Sequence, residues 1–400
     1  MSPPSFWFIA VLLVAPLVSG CRAPALAQGV RASTAAPERT ALSPSDSVLV
    51  HRLDALTRRL AAADSFSGVV LLARDGDPIY TFTTGVADRR TGAPNRLDTR
   101  FNLASVDKFF TRVAVHQLQE AGRLSTSDLV GRHLPDYPND RVRDEVTIGH
   151  LLSMRSGMGD FDTDPDYRNY HASLPGLRST DDYLALFADD TLLFDPGTDT
   201  AYSNAGYVVL GKVIERVSGQ SYYDYVREHV FDPAGMTGTG YFTPDDDVPN
   251  LAVGYTKNPI ASEAESQLAE GSVERSPNTS LLAYRGSSAG GGYSTAEDFL
   301  RLSRALLAHR LMGPEATYAM LGSRFNAPDP EAFDLDGWRG GSEGINTVFL
   351  VFSTGHTLVV LTNYDPPVAT TISREFMGEW LPAWLETSRD DSSHPGSRRP

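Results

Sequence analysis

Ser105 and Lys108 stand three residues apart at the head of a stretch running from Asn102 to Gly122. On a helix such positions share a face, so a hydroxyl and an amine would lie side by side as a nucleophile and its base. Val106, Phe109, Phe110, Val113 and Leu118 follow with helical spacing, between a start signal at Asn102 and a stop signal at Gly122. The spacing therefore predicts a largely buried helix. Burial penalises a charged lysine and lowers its pKa, as a base requires. A capping serine followed by a surface lysine gives the same four-residue pattern, which recurs by chance about once in a chain of this length. Lysine usage tilts the choice. Arginine supplies nearly every cation here, and lysine occurs only at 108, 212 and 257.

A second serine competes. Gly286-Ser287-Ser288-Ala289-Gly290 fits the Gly-x-Ser-x-Gly elbow of α/β-hydrolases, with His309 or His356 downstream as a base. That elbow needs a buried strand before it and a helix directly after. Leu281 to Tyr284 is a short strand at best, and Gly291, Gly292 and Tyr293 intervene before the helical run from Ala296 to Leu307. Ser288 is the lesser candidate.

The elements that must position these residues follow from periodicity. Asp46 to Ala63 reads as a helix through Leu49, Leu53, Leu56 and Leu60. Gly68 to Ala73 and Pro78 to Phe82 read as strands joined at Asp75-Gly76, a hairpin signal. Helices are expected within Val146 to Met154, Asp182 to Ala188 and Gly206 to Val217, with polar loops at 245–250 and 262–278. Strand character returns at Thr347 to Phe352 and Thr357 to Leu361, and Ala369 to Leu385 reads as an amphipathic helix. Strands near both termini with helices between them predict an α+β fold. One antiparallel sheet is shared by the two ends, and a mostly helical lobe is inserted between them. The expected domain is 46–387, with a sheet lobe at about 46–104 and 280–387 and a helical lobe at about 105–279. A disordered tail is expected at 388–400.

Composition narrows the partners. A formal net charge of −15 disfavours nucleic acid. The nine histidines fall singly and there is one cysteine, so neither a zinc site nor a disulfide framework is expected. Phe6 to Val18 is an apolar run of signal-peptide length. Leu17-Val18-Ser19-Gly20-Cys21 resembles the lipobox of bacterial lipoproteins, which implies lipidation of the sole cysteine, Cys21. Ala25-Leu26-Ala27 offers a rival cleavage site, so residues 1–27 are read as the exported leader and 28–45 as a tether. Either cleavage implies export to the periplasm or cell envelope, and the only membrane contact expected is a lipid anchor. Oligomeric state is not legible.

Several stretches taken together resemble the serine β-lactamase and penicillin-binding superfamily, in its class C-like branch with related esterases and D-amino-acid peptidases. They are Phe66-Ser67-Gly68-Val69-Val70, Ala104 to Lys108, Thr147 to Gly157, Pro196-Gly197 with Tyr202 to Tyr207, Gly291 to Thr295, and Gly337 to Gly344. The family's second motif, Tyr-x-Asn, has three candidates here. Tyr137-Pro138-Asn139 and Tyr167-Arg168-Asn169 sit in Asp/Pro-rich loops, whereas Tyr202-Ser203-Asn204 leads straight into an apolar helix. The resemblance then implies that Tyr202 shares proton transfer with Lys108, and that Asn204 orients Lys108 and the substrate.

The third motif departs from the family pattern. Gly337-Trp338-Arg339-Gly340-Gly341 puts Trp338 and Arg339 where a Lys or His and a hydroxyl residue are usual. Some esterases of the branch also carry tryptophan there. Tryptophan cannot hold a carboxylate, but an inward Arg339 can do so by bidentate contact. Gly340 and Gly341 suit a backbone that approaches the ligand closely. The resemblance places the oxyanion hole at the amides of Ser105 and Gly341, donors worth about 3 kcal/mol of barrier each.

The expected activity is hydrolysis of a small-molecule or peptide ester or amide through an acyl-Ser105 intermediate, needing no metal or organic cofactor. Esterase or D-amino-acid peptidase action is favoured over antibiotic hydrolysis. The alternative is a non-catalytic protein of the same fold that binds cell-wall peptides or a partner.

Overall fold

The hairpin at Asp75-Gly76 forms as the sequence requires. Both residues take positive φ, 51° and 84°, the backbone that a two-residue turn needs to match the twist of its strands. It joins β1 (Gly68–Arg74) to β2 (Asp77–Thr84). At the other end of the chain come β3 (Arg339–Ser342), β4 (Ile345–Val351) and β5 (His356–Thr362). The computed structural model describes residues 42–161, 167–257, 274–322 and 339–392, without the side chains of 167–169 and 389–392. Cys21, the leader, most of the tether and Trp338 lie outside the described residues.

The sheet runs β2-β1-β5-β4-β3, antiparallel throughout. Val69 pairs with Leu361, so N- and C-terminal segments meet at its centre. The fold is therefore the expected α+β arrangement, with helical segments inserted between the two halves of one sheet. β4 and β5 are buried at every position, which is why they read as continuous apolar runs rather than alternating ones. Phe349 of β4 meets Phe109 and Phe299 on one face of the sheet. Phe352, an odd number of residues further and so on the opposite face, meets Phe376. Helices therefore cover both sides.

Five helices matter to the site. They are α1 (Pro44–Ala62), α2 (Lys108–Glu120), α3 (Asn204–Ser218), α4 (Ala296–Leu307) and α5 (Val368–Glu375). α2 and α3 pack on each other. α3 starts where Ser203 accepts the N–H of Gly206 and stops at Gly219 in the left-handed region. α2 ends at Gly122, φ 67°, where Arg123 N–H reaches Leu118 O and Gly122 N–H reaches Gln119 O, closing the last turn.

Three boundaries differ from the sequence reading. α1 begins at Pro44, inside the expected tether, because Ser43 caps it by accepting from Asp46 N–H and proline suits the first turn. The backbone stays helical to Ser392, past the expected start of the tail at 388. Trp380 and Trp384 are buried ahead of it, and adding residues to an anchored helix costs little. Asn102 does not begin a helix. It belongs to a short strand, Phe101–Asn102, paired with Tyr293–Ser294, and a 3₁₀ turn over Ala104–Asp107 precedes α2.

Candidate active site

That 3₁₀ turn positions Ser105. With three residues per turn, positions i and i+3 eclipse, so Ser105 and Lys108 are aligned more closely than on an α-helix. Ala104, just before Ser105, sits at φ 44°, a conformation that non-glycine residues hold only when their surroundings impose it. Those surroundings are visible. Asn102 Oδ1 accepts Ala104 N–H at 2.9 Å, Leu103 N–H reaches Gly292 O at 2.8 Å, and Thr347 Oγ1 donates to Leu103 O at 2.7 Å.

Lys108 is fully buried. Its Nζ lies 3.1 Å from Ser105 Oγ, 2.5 Å from Asn204 Oδ1 and 2.5 Å from Ala289 O. Both carbonyl oxygens can only accept. With two amine hydrogens directed at them, a neutral Lys108 has its lone pair available to the Ser105 hydroxyl. Tyr202 arrives from just before α3. Its hydroxyl contacts Ser105 Oγ and lies 3.3 Å from Asn204 Oδ1, and its ring centroid is 4.8 Å from Lys108 Nζ. Ser105, Lys108, Tyr202 and Asn204 thus converge on one point. Such an arrangement can take a proton from the serine and return it to a leaving group.

Of the other two Tyr-x-Asn segments, Tyr137-Pro138-Asn139 does not reach this point. Tyr137 is buried, and Asn139 caps a helix by accepting from Arg141 and Val142 N–H. The side chains of Tyr167 and Asn169 lie outside the described residues. Lys212 pairs with Asp181 at 2.5 Å, and Lys257 is exposed, so Lys108 alone of the three lysines is buried.

The serine opens into a cavity of about 820 Å³ lined also by Asp160, Phe161, Tyr202, Asn204, Arg339, Gly340 and Gly341. Glycine is required at 340, where a Cβ would stand 2.2 Å from Leu103 O and 2.9 Å from Ser105 N. β3 therefore presses directly on the serine turn at Gly340, and Gly341 follows it in the cavity wall. Arg339 is half-buried and faces the cavity. Aromatic side chains form much of the remaining wall, among them Tyr170, Tyr183, Phe242 and Tyr284.

Asp107 turns away from this cavity, as its spacing from Ser105 requires, but into the core rather than to solvent. Gly292 N–H donates to its Oδ2, and burial still drives its pKa up to about 8, against the lowering effect of that bond and of Lys108. The Gly286–Gly290 segment is not a nucleophile elbow. Ser288 is buried and donates to Tyr207 O at 2.9 Å, and no helix begins before Ala296. His309 lies beside Thr317, and His356 lies between Thr354 and Asp46, neither with Ser288. The segment's contribution is instead the Ala289 carbonyl, which no side-chain motif marks. Asp160 was also missed. Its only sequence signal is a carboxylate in a glycine-containing loop directly after Thr147 to Gly157.

Residues 53–376 match the Beta-lactamase family model, and the chain belongs to that family. It is 33% identical over 308 residues to Esterase EstB of Burkholderia gladioli, spanning 71% of this chain and 76% of that one. Among solved structures it resembles a penicillin binding protein from Bacillus halodurans, with TM-score 0.67 and 30% identity over 80% of this chain and 97% of the other. It also resembles a D-stereospecific amidohydrolase from a Streptomyces species, with TM-score 0.61 and 26% identity over 81% and 97%. Family and fold define an enzyme of the serine-hydrolase type, working through an acyl-enzyme.

Proposed function

We propose that this protein hydrolyses an ester or amide by acylating Ser105, with esterase or D-amino-acid peptidase action as its main activity. One observation carries the reading: at the floor of the cavity Ser105 Oγ is met by both the Lys108 amine and the Tyr202 hydroxyl. Ser105 attacks the substrate carbonyl, its proton passes to the Lys108–Tyr202 pair, and the amides of Ser105 and Gly341 take the developing oxyanion. The pair then gives the proton to the leaving alcohol or amine. Water releases the acyl group by the reverse sequence, and Asn204 holds Lys108 and the substrate in place. Similarity to an esterase and to an amidohydrolase supports both leaving-group classes.

Arg339 stands in for the usual carboxylate anchor of the third motif, and with Trp338 and Gly340 it completes the substrate-binding set. The protein acts outside the cytoplasm, exported by its N-terminal leader and held at the membrane by a lipid on Cys21 as the first residue after cleavage; a Cys21→Ser variant that stayed membrane-bound would refute the anchor. The functional test is a hydrolysis panel of short-chain nitrophenyl esters, a chromogenic cephalosporin and a D-Ala-D-Ala peptide, run on wild type, Ser105→Ala and Arg339→Ala. Turnover of at least one substrate that disappears in Ser105→Ala is expected. Turnover by Ser105→Ala at the wild-type rate would overturn the reading.

A further inference from the structure

Asn204 has a side chain with two ends of nearly the same shape, and its role depends on which end meets Lys108. The oxygen accepts from an amine or ammonium, whereas the NH₂ would oppose it. Shape does not fix this choice, but charge does. Asp160 Oδ2 lies 2.9 Å from Asn204 Nδ2. A carboxylate accepts and cannot donate, so it holds the NH₂ end and leaves Oδ1 facing Lys108 Nζ at 2.5 Å and Tyr202 OH at 3.3 Å.

We infer that Asp160 is a positioning residue for the reaction, acting through Asn204 to keep the amide oxygen turned toward Lys108. The inference rests on the acyl-enzyme reading above. Asp160 is itself held by local bonds. Its Oδ1 accepts Phe161 N–H at 3.0 Å, and Ser203, directly before Asn204, donates from Oγ to Gly159 O at 2.9 Å. The two segments are thus joined at adjacent residues on both sides, and Leu193 N–H to Gly157 O at 2.7 Å ties the loop further back. Reversing the amide would set oxygen against carboxylate on one side and N–H against N–H on the other. Asp160 also supplies a negative charge one amide away from the place where Lys108 becomes an ammonium during acylation.

Asp160→Asn tests this without changing shape, because an amide at 160 accepts either sense of Asn204. kcat and KM on a neutral nitrophenyl ester, and the rate of labelling by a fluorophosphonate, are measured for wild type, D160N, N204A and D160N/N204A. The expected result is a fall in kcat and labelling rate of roughly ten- to a hundredfold in D160N, the size of one lost charged hydrogen bond, with KM within about twofold. In the N204A background D160N should have no further effect. D160E, which keeps an acceptor-only end, should recover part of the loss. An unchanged rate in D160N, an equal loss in both backgrounds, or a loss confined to KM would overturn the inference. Should near-UV circular dichroism show that D160N does not fold, D160A takes its place under the same requirement of non-additivity. Failure of the underlying reading is told apart by Ser105→Ala, which would then keep the wild-type rate and overturn the inference along with that reading.

Discussion

At the floor of the cavity Lys108 is fully buried with Ser105 Oγ, Asn204 Oδ1 and Ala289 O around its Nζ, and Ala104 is bent into positive φ by bonds from Asn102 and its neighbours. At the rim Arg339 is half-buried, and Tyr284 leans against Arg178 with its hydroxyl on Asp245. The motifs by which the sequence resembles the family meet at the floor, while the altered Trp338-Arg339 motif belongs to the rim. Buried polar groups tolerate little change, because each one left without a partner costs about 1–3 kcal/mol. Half-exposed groups are screened and hydrated, so they vary more cheaply. We propose that the floor sets the reaction type and the rim the choice of substrate.

The largest effect that would sharpen this contrast is at the nucleophile. Ser105→Ala should lower kcat/KM on every substrate by at least about a thousandfold, as loss of a covalent nucleophile does. A steady-state assay that found one substrate spared would break the distinction. Next come the proton carriers. Lys108→Ala and Tyr202→Phe should each cost roughly a hundred- to ten-thousandfold in kcat, again across all substrates. Rim substitutions should discriminate instead. Arg339→Ala should weaken the cephalosporin and the D-Ala-D-Ala peptide about tenfold or more relative to a neutral nitrophenyl ester, the worth of one charge-assisted pair. A uniform loss would place Arg339 with the floor.

The smallest effect concerns stability and pH. Asp107 has its pKa raised to about 8 by burial, whereas His116 and His356 have theirs lowered to about 4 by burial. Between about pH 4 and 6.5 the unfolded chain binds protons on both histidines that the folded protein does not, while the folded protein keeps one on Asp107. The balance favours the unfolded state at the acid end, so stability rises with pH there. From about 6.5 to 8 only the Asp107 contribution remains among these three, with its sign reversed, and stability falls as pH rises. The thermal midpoint should therefore peak near pH 6.5. In Asp107→Asn the alkaline decline should flatten, and an unchanged profile would contradict the assignment.

How much of this was legible depended on where the chemistry is stored. Ser105, Lys108, Tyr202 and Asn204 carry it in side chains, and a lysine among phenylalanines in an arginine-rich chain is conspicuous. Tyr202 could be told from Tyr137 and Tyr167 because it leads straight into a long apolar helix, whereas they sit among Asp and Pro residues. The central strands read clearly because they are buried on both faces. Ala289 could not be found, since a carbonyl leaves no trace in the residue type. Asp160 was one carboxylate among 50 acidic residues, and only its neighbours in space distinguish it. The start of the Ser105 turn was misplaced because alanine gives no warning of positive φ at 104. Trp338, Cys21 and the leader lie outside the described residues, so their roles rest on sequence alone.

The central claim is covalent, and its most direct measurement is intact-protein and peptide mass spectrometry after brief exposure to a fluorophosphonate or a slowly turned-over ester. A single adduct mapping to the peptide that contains Ser105, absent in Ser105→Ala and strongly slowed in Lys108→Ala, is the predicted result. An adduct on another residue, or none while hydrolysis proceeds, would contradict it.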